Sequence, residues 1–222
     1  MPRRITDHSA DDYDPDISPD DKCLAFASNR MDAKGDIFIV RLDGSNLIRL
    51  TGRESGDRQP DFFPDGDRVA FARFEGGASR GIFTVGLENH EIERLTRRPG
   101  SDPAISPDGR WLVFTSMSEE AGNPRPCLWI RDMTDGRETL LTGCDRPEGF
   151  ASWVGSEGGD WLVFNRFNDD TNADGHIDLG DRPSVWKIRF AGSPRGSSAK
   201  PLPLTPGISA DIMPVAGGGR GF

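Results

Sequence analysis

The chain has 222 residues, 35% of them hydrophobic and 28% charged, and carries 27 basic against 36 acidic side chains for a formal charge of −9. That balance argues against a nucleic-acid partner, which needs a concentrated positive face. No stretch approaches the ~18 consecutive apolar residues of a membrane span, and the opening "MPRRITDHSADD" has no apolar run behind its arginines, so it does not read as a secretory signal peptide.

In chain order the first element is Ile5-Thr6, which reads as the closing strand of a preceding repeat. "ISPDDKCLAFAS", from Ile17, then predicts a strand, a turn and a second strand; "DIFIVRL" predicts a third and "LIRLT" a fourth. The set returns as "FFPDGDRVAFAR", "GIFTVGL" and "IERLT", then as "ISPDGRWLVFTS", "CLWIRDM" and "TLLT". It returns once more as "WVGSEGGDWLVFNR", "SVWKIRF" and "LPLT". The shared phenylalanines Phe26, Phe71, Phe114 and Phe164 stand 45, 43 and 50 residues apart, a period that signals a repeat architecture.

The Pro-Asp-Gly turns suit tight hairpins, because Asp-Gly tolerates positive φ. Second strands such as "WLVF" (Trp111 to Phe114) are apolar on consecutive residues, so both faces should be covered by neighbouring sheets. The third and fourth strands carry arginines and are expected to alternate toward a solvent edge. The expected fold is all-β, a β-propeller of four-stranded antiparallel blades with four complete repeats. It is expected to form one domain over 1–222, with repeats at about 6–51, 52–96, 97–142 and 143–205 and a partial strand at 206–222. Pro15 follows Thr6 by nine residues and Pro214 follows Thr205 by nine, so the chain starts and stops between blades. An incomplete or partner-completed ring is the expectation, with a second copy or another protein covering the exposed blade faces.

An Asp ahead of Pro, then Ser-Pro-Asp-Gly, an apolar strand ending in Phe, an aromatic strand and Leu-Thr together resemble the TolB-type β-propeller repeat, which is WD-repeat-like. Asp102, Pro103, Ser106, Pro107, Asp108 and Gly109 carry the match best. Asp14, Pro15, Ser18, Pro19 and Asp20 carry it too, with Asp21 where the glycine should be; the fourth repeat lacks the Pro-Asp pair. The resemblance implies the fold over nearly the whole chain. Such propellers include periplasmic scaffolds and the gating domains of peptidases, so fold alone does not name an activity.

From the second-strand Phe to the third-strand aromatic there are 12 residues in repeats one and two, 15 in repeat three and 22 in repeat four. The fourth hairpin therefore holds an insertion of ten residues, within "NDDTNADGHIDLGD". Counted from Asp170, this places Asp170, Asn172 and Asp174 at positions 1, 3 and 5, Gly175 at 6, His176 at 7, Asp178 at 9 and Asp181 at 12. That is the spacing of an EF-hand calcium loop. Alternate side chains turn inward on a cation wanting 6–8 oxygens, glycine makes the sharp turn, and position 7 offers its carbonyl. His176 is therefore expected to coordinate through its backbone, and Ile177 to tuck under the loop. Asp181 stands where EF-hands usually carry glutamate, and dockerin-type loops resemble this sequence more closely. Strand-like flanks predict a static Ca2+ clip rather than a switch between helices.

No G-x-S-x-G occurs, since "GISAD" lacks its second glycine, and His8, His90 and His176 have no evident Ser or Cys partner. "EGGASRG" lacks the Gly-Lys-Ser/Thr of a phosphate cradle, and "AGSPRGSSAKP" reads as a flexible loop. Cys23, Cys127 and Cys144 show no CxxC, and buried small hydrophobes are expected in preference to a disulfide. The expected function is a non-enzymatic, calcium-binding scaffold for protein binding or assembly. The alternative is the propeller part of a prolyl-oligopeptidase- or tricorn-like peptidase whose catalytic domain lies elsewhere. The family resemblance and the calcium loop lean toward an extracytoplasmic site.

Overall fold

The computed structural model describes residues 3–52, 55–120, 124–155, 161–168, 177, 181–190 and 201–204. Among them the regular structure is strand throughout, in four antiparallel sheets of four strands, each in sequence order. The first holds β1 (Asp12–Ile17), β2 (Cys23–Ser28), β3 (Asp36–Arg41) and β4 (Ile48–Arg49). The second holds β5 (Gly56–Phe62), β6 (Arg68–Glu75), β7 (Ala78–Gly86) and β8 (Ile92–Arg94). The third holds β9 (Ser101–Ile105), β10 (Trp111–Met117), β11 (Pro126–Asp132) and β12 (Glu138–Leu140). The fourth holds β13 (Glu148–Val154), β14 (Trp161–Arg166), β15 (Ser184–Arg189) and β16 (Leu202–Pro203). These are β-propeller blades, and the chain divides into two compact units, 1–109 and 110–222.

The repeat phenylalanines set the register. Phe26 pairs with Phe38, Phe71 with Phe83, Phe114 with Trp129 and Phe164 with Trp186, each across the second and third strands. The third strands depart from expectation: β3 is buried at five of its six positions instead of alternating. Ile37 and Ile39 face the second sheet, while Phe38 and Val40 pack with Ile5, so both faces are covered. Fourth strands are short and exposed, which suits an edge. The Leu-Thr pair explains how they end. Leu50 N–H donates to the Ile37 carbonyl, and the Thr51 hydroxyl accepts the Ile37 amide at 3.0 Å. Leu95 and Thr96 repeat both bonds on Ile82, so the threonine side chain continues a ladder that the short strand cannot.

In residues 1–109 the inner strands are joined by side chains. Each carries a bulge, between Tyr13 and Asp16 in β1 and between Arg58 and Asp61 in β5, with Asp14 and Gln59 at φ 51° and 55°. A bulge bends the strand and re-aims the side chains that follow. Asp16 thereby accepts the Phe62 amide at 2.7 Å, and Asp61 accepts the Ile105 amide at 2.7 Å. Asp14 accepts the Gln59 amide, and the Gln59 side chain both accepts the Asp102 amide and donates to the Asp102 carboxylate. The Pro-Asp-Gly turns interlock as well. A Cβ on Gly109, at φ +70°, would stand 3.2 Å from Pro64 Cγ, so glycine there answers both the turn and the proline above it. Asp21 takes the same left-handed conformation at φ 57°, which aspartate tolerates better than most residues.

In residues 110–222, Phe190 receives Trp111 and Trp153 edge-on, with ring centroids 5.2 Å away in each case. A Cβ on Gly149 would stand 3.3 Å from Thr115 Oγ1, so β13 approaches the third sheet closely. One expectation is corrected here. Cys127, fully buried in β11, and Cys144, in the segment before β13, have Cα atoms 5.4 Å apart and form a disulfide. Their spacing of 17 residues concealed this, because the segment after β12 turns back over β11. Cys23 is free and half-buried.

Candidate functional site

The base of the fourth hairpin is set by the Phe164–Trp186 pair and, two residues further along the ladder, by Arg166 opposite Ser184. Beyond them lie Phe167, fully buried, and Asp181, only 5% exposed. Arg166 is pinned from below. It donates through Nε to Glu148 Oε1 at 2.8 Å, and its guanidinium stacks on Trp186 at 4.8 Å from the ring centroid. Glu148 is fully buried and also accepts the Thr142 hydroxyl. Burial pushes the Glu148 carboxyl up in pKa against the opposing pull of Thr142 and Arg166. Asp145, mostly exposed, joins Arg166 at 3.4 Å. Because Glu148 already spends its oxygens on an arginine and a hydroxyl, it is not a cation ligand.

Asp170, Asn172, Asp174, His176 and Asp178 lie outside the described residues, as do Gly175, Thr205 and the strand expected at 206–222. Of the six ligand positions Asp181 is described, and it is buried; Ile177 is half-buried. Among the described residues no group of three or more His, Cys, Asp or Glu is placed to hold a metal. Elsewhere, the exposed His8 accepts the Ala10 amide through Nδ1 at 3.0 Å. His90 occupies the turn between β7 and β8 at φ 55°.

Sequence reasoning passed over a second repeated feature. Asp57 opposes Arg73 across β5 and β6, as Glu148 opposes Arg166 across β13 and β14. Arg73 grips Asp57 with two bonds of 2.7 and 2.8 Å while lying over Phe71 and Phe83 at 5.3 and 4.8 Å. In the first sheet Arg30 reaches back to Asp12 at 2.7 Å and covers Phe26 and Phe38. Burial works to raise the Asp12 carboxyl, but Arg30, Ser28 and Thr6 together hold it below its usual range. The sequence signal was a carboxylate two residues before the bulge, at Asp12, Asp57 and Glu148, with an arginine shortly after the repeat Phe. Repeat three has Gly100 and Ser116 at these positions, so both partners are missing together. An arginine or a carboxylate present alone at these buried positions would be left uncompensated, and repeat three carries neither.

No family model matches the chain, and no curated protein does. Solved structures do. TolB from Acinetobacter baumannii superposes with a TM-score of 0.71 at 20% identity over 95% of this chain and 47% of its own. A TolB candidate from Agrobacterium tumefaciens gives 0.67 at 22% identity, over 86% of this chain and 64% of its own. A puromycin-hydrolyzing peptidase of Mycobacterium tuberculosis gives 0.63 at 15% identity, over 91% of this chain and 30% of its own. This chain thus spans less than two thirds of each of these three proteins. The likeness is one of fold: the four-stranded blades resemble the β-propellers of the two TolB structures and a stretch of the much longer peptidase chain.

Proposed function

We propose that the chain is a non-enzymatic, calcium-binding β-propeller scaffold that holds a protein partner or a second copy of itself. The observation that supports the metal is the Asp170–Asp181 spacing together with the burial of Asp181. The last carboxylate of a merely solvated acidic tip belongs in water, whereas position 12 of a cation loop faces inward. Asp170, Asn172, Asp174, Asp178 and Asp181 would supply side-chain oxygens and His176 its carbonyl; the cation would clamp the long fourth hairpin. The Cys127–Cys144 disulfide supports an extracytoplasmic site, since such bonds persist in oxidising compartments.

The test is thermal melting of the purified chain in calcium and in chelator. Calcium should raise the melting temperature, and Asp174→Ala should remove most of that gain while leaving the chelator value unchanged. Equal melting temperatures in the two buffers would sink the reading. A second reading, the propeller portion of a peptidase, draws on the likeness to the puromycin-hydrolyzing enzyme, of which the chain spans 30%. An α/β-hydrolase domain encoded in the same reading frame would establish it.

A further inference from the structure

In residues 1–109 a groove of about 480 Å³ opens between the first and second sheets at their Pro-Asp turns. Its floor is apolar: Ile39, Phe62 and Leu87, with Cys23 on one wall. The repeat explains why the space exists. Three residues before the shared phenylalanine stand Arg68, Trp111 and Trp161 in repeats two to four, but Cys23 in repeat one. Eight residues before it, repeat two has Phe63, on whose ring Arg68 lies at 3.9 Å, whereas repeat one has Ser18. The first sheet thus lacks the bulky side chains that its neighbour stacks at the same place. Asp20, Asp65 and Asp67 line the opening, and all three are exposed. Lys22 and Arg68 offset the first two through pairs of 3.0 and 3.6 Å, but both pairs are well exposed and weak. Three carboxylates against two cations leave the mouth negative, in a chain whose net charge is −9.

We propose that this groove docks an arginine-bearing segment of a partner protein, its stem lying on Ile39, Phe62 and Leu87 and its guanidinium among the three aspartates. The site rests on the scaffold reading and supplies the chemistry of its partner. The arginine occupies the volume that the repeat leaves unfilled beside Cys23. Its charge answers the mouth, and its planar donors suit carboxylates better than a lysine ammonium does.

The free thiol of Cys23 reports on occupancy. The probes are the capped peptides acetyl-Gly-Leu-Arg-Leu-Gly-amide and its Glu-for-Arg counterpart, each at millimolar concentration against the full chain. The arginine peptide should slow maleimide alkylation of Cys23 at least about tenfold at saturation, with a dissociation constant in or below the millimolar range, and the effect should fade with added salt. The glutamate peptide should leave the rate alone. Asp65→Asn with Asp67→Asn, on exposed positions, should weaken protection several-fold, and Cys23→Trp, titrated by calorimetry, should abolish binding by filling the space. Unprotected Cys23, equal protection by both peptides, or protection indifferent to the double variant would each overturn the proposal, whether or not Cys23→Trp folds. Calcium-dependent melting is measured separately, so the groove can fail while the scaffold reading stands, and the reverse.

Discussion

Asp61 accepts the backbone amide of Ile105 at 2.7 Å, 44 residues along the chain, so one carboxylate ties the inner strand of the second sheet to that of the third. Asp16 stands in the same relation to Phe62. Burial, and then the neighbouring charge of Asp16, push the Asp61 carboxyl well above the ordinary aspartate range. Burial also raises Asp16, against the pull of the Phe62 amide. When the folded pKa exceeds the unfolded value of about 3.9, the folded chain holds the proton more tightly. The stability contributed is full below that unfolded value and is lost as pH rises through the folded one. Asp61→Asn keeps an oxygen for the Ile105 amide and removes the charge. It should raise the melting temperature by a few degrees at pH 7, and the gain should shrink toward pH 4. A variant that melts below the parent at pH 7 contradicts this account.

The buried and exposed ion pairs should differ sharply in worth. Arg73 and Asp57 have side chains 7% and 0% exposed. Arg73→Met leaves Asp57 charged and uncompensated, at an expected cost of about 3–5 kcal/mol in urea unfolding. Adding Asp57→Asn should recover a large part of that loss. Arg80 and Glu75 pair at 2.9 Å but are 55% and 52% exposed, so Arg80→Ala should change stability by less than about 1 kcal/mol. Comparable losses from the two arginine variants would show that burial does not set the scale.

The disulfide makes a counting prediction. Denatured without reductant, the chain should titrate one free thiol, Cys23, and after reduction three. Cys127→Ala with Cys144→Ala should cost roughly 3 kcal/mol, the loop-closure entropy of a 17-residue separation. Three reactive thiols before reduction would refute the bond.

A fluorophosphonate probe should leave the chain unlabelled, consistent with the scaffold reading. Stoichiometric labelling of one serine, with turnover lost when that serine is mutated, would count against it.

Much of the fold was legible because it is written locally and four times over. Spacing alone marked Phe26 and Phe38, and Phe164 and Trp186, as the shared aromatics of the second and third strands. The structure adds that each pair stands directly opposite, and the hairpin insertion lengthens the loop without shifting that register. The third strands were misjudged because burial of their second face depends on what packs there, such as Ile5 against Phe38, which no alternation pattern within the strand encodes. The EF-hand-like spacing from Asp170 to Asp181 is a local pattern in the same sense as the repeats. The Cys127–Cys144 bond, the inner-strand carboxylates on neighbouring amides and the groove beside Cys23 were not. Each depends on where separate segments meet: a segment folding back over β11, a bulge turning Asp16 and Asp61 toward the next strand, and two sheets converging where one lacks a large side chain. Composition and periodicity specify each blade, because a strand's pleat is a short-range property. Proximity between side chains far apart in sequence is settled only when the sheets pack.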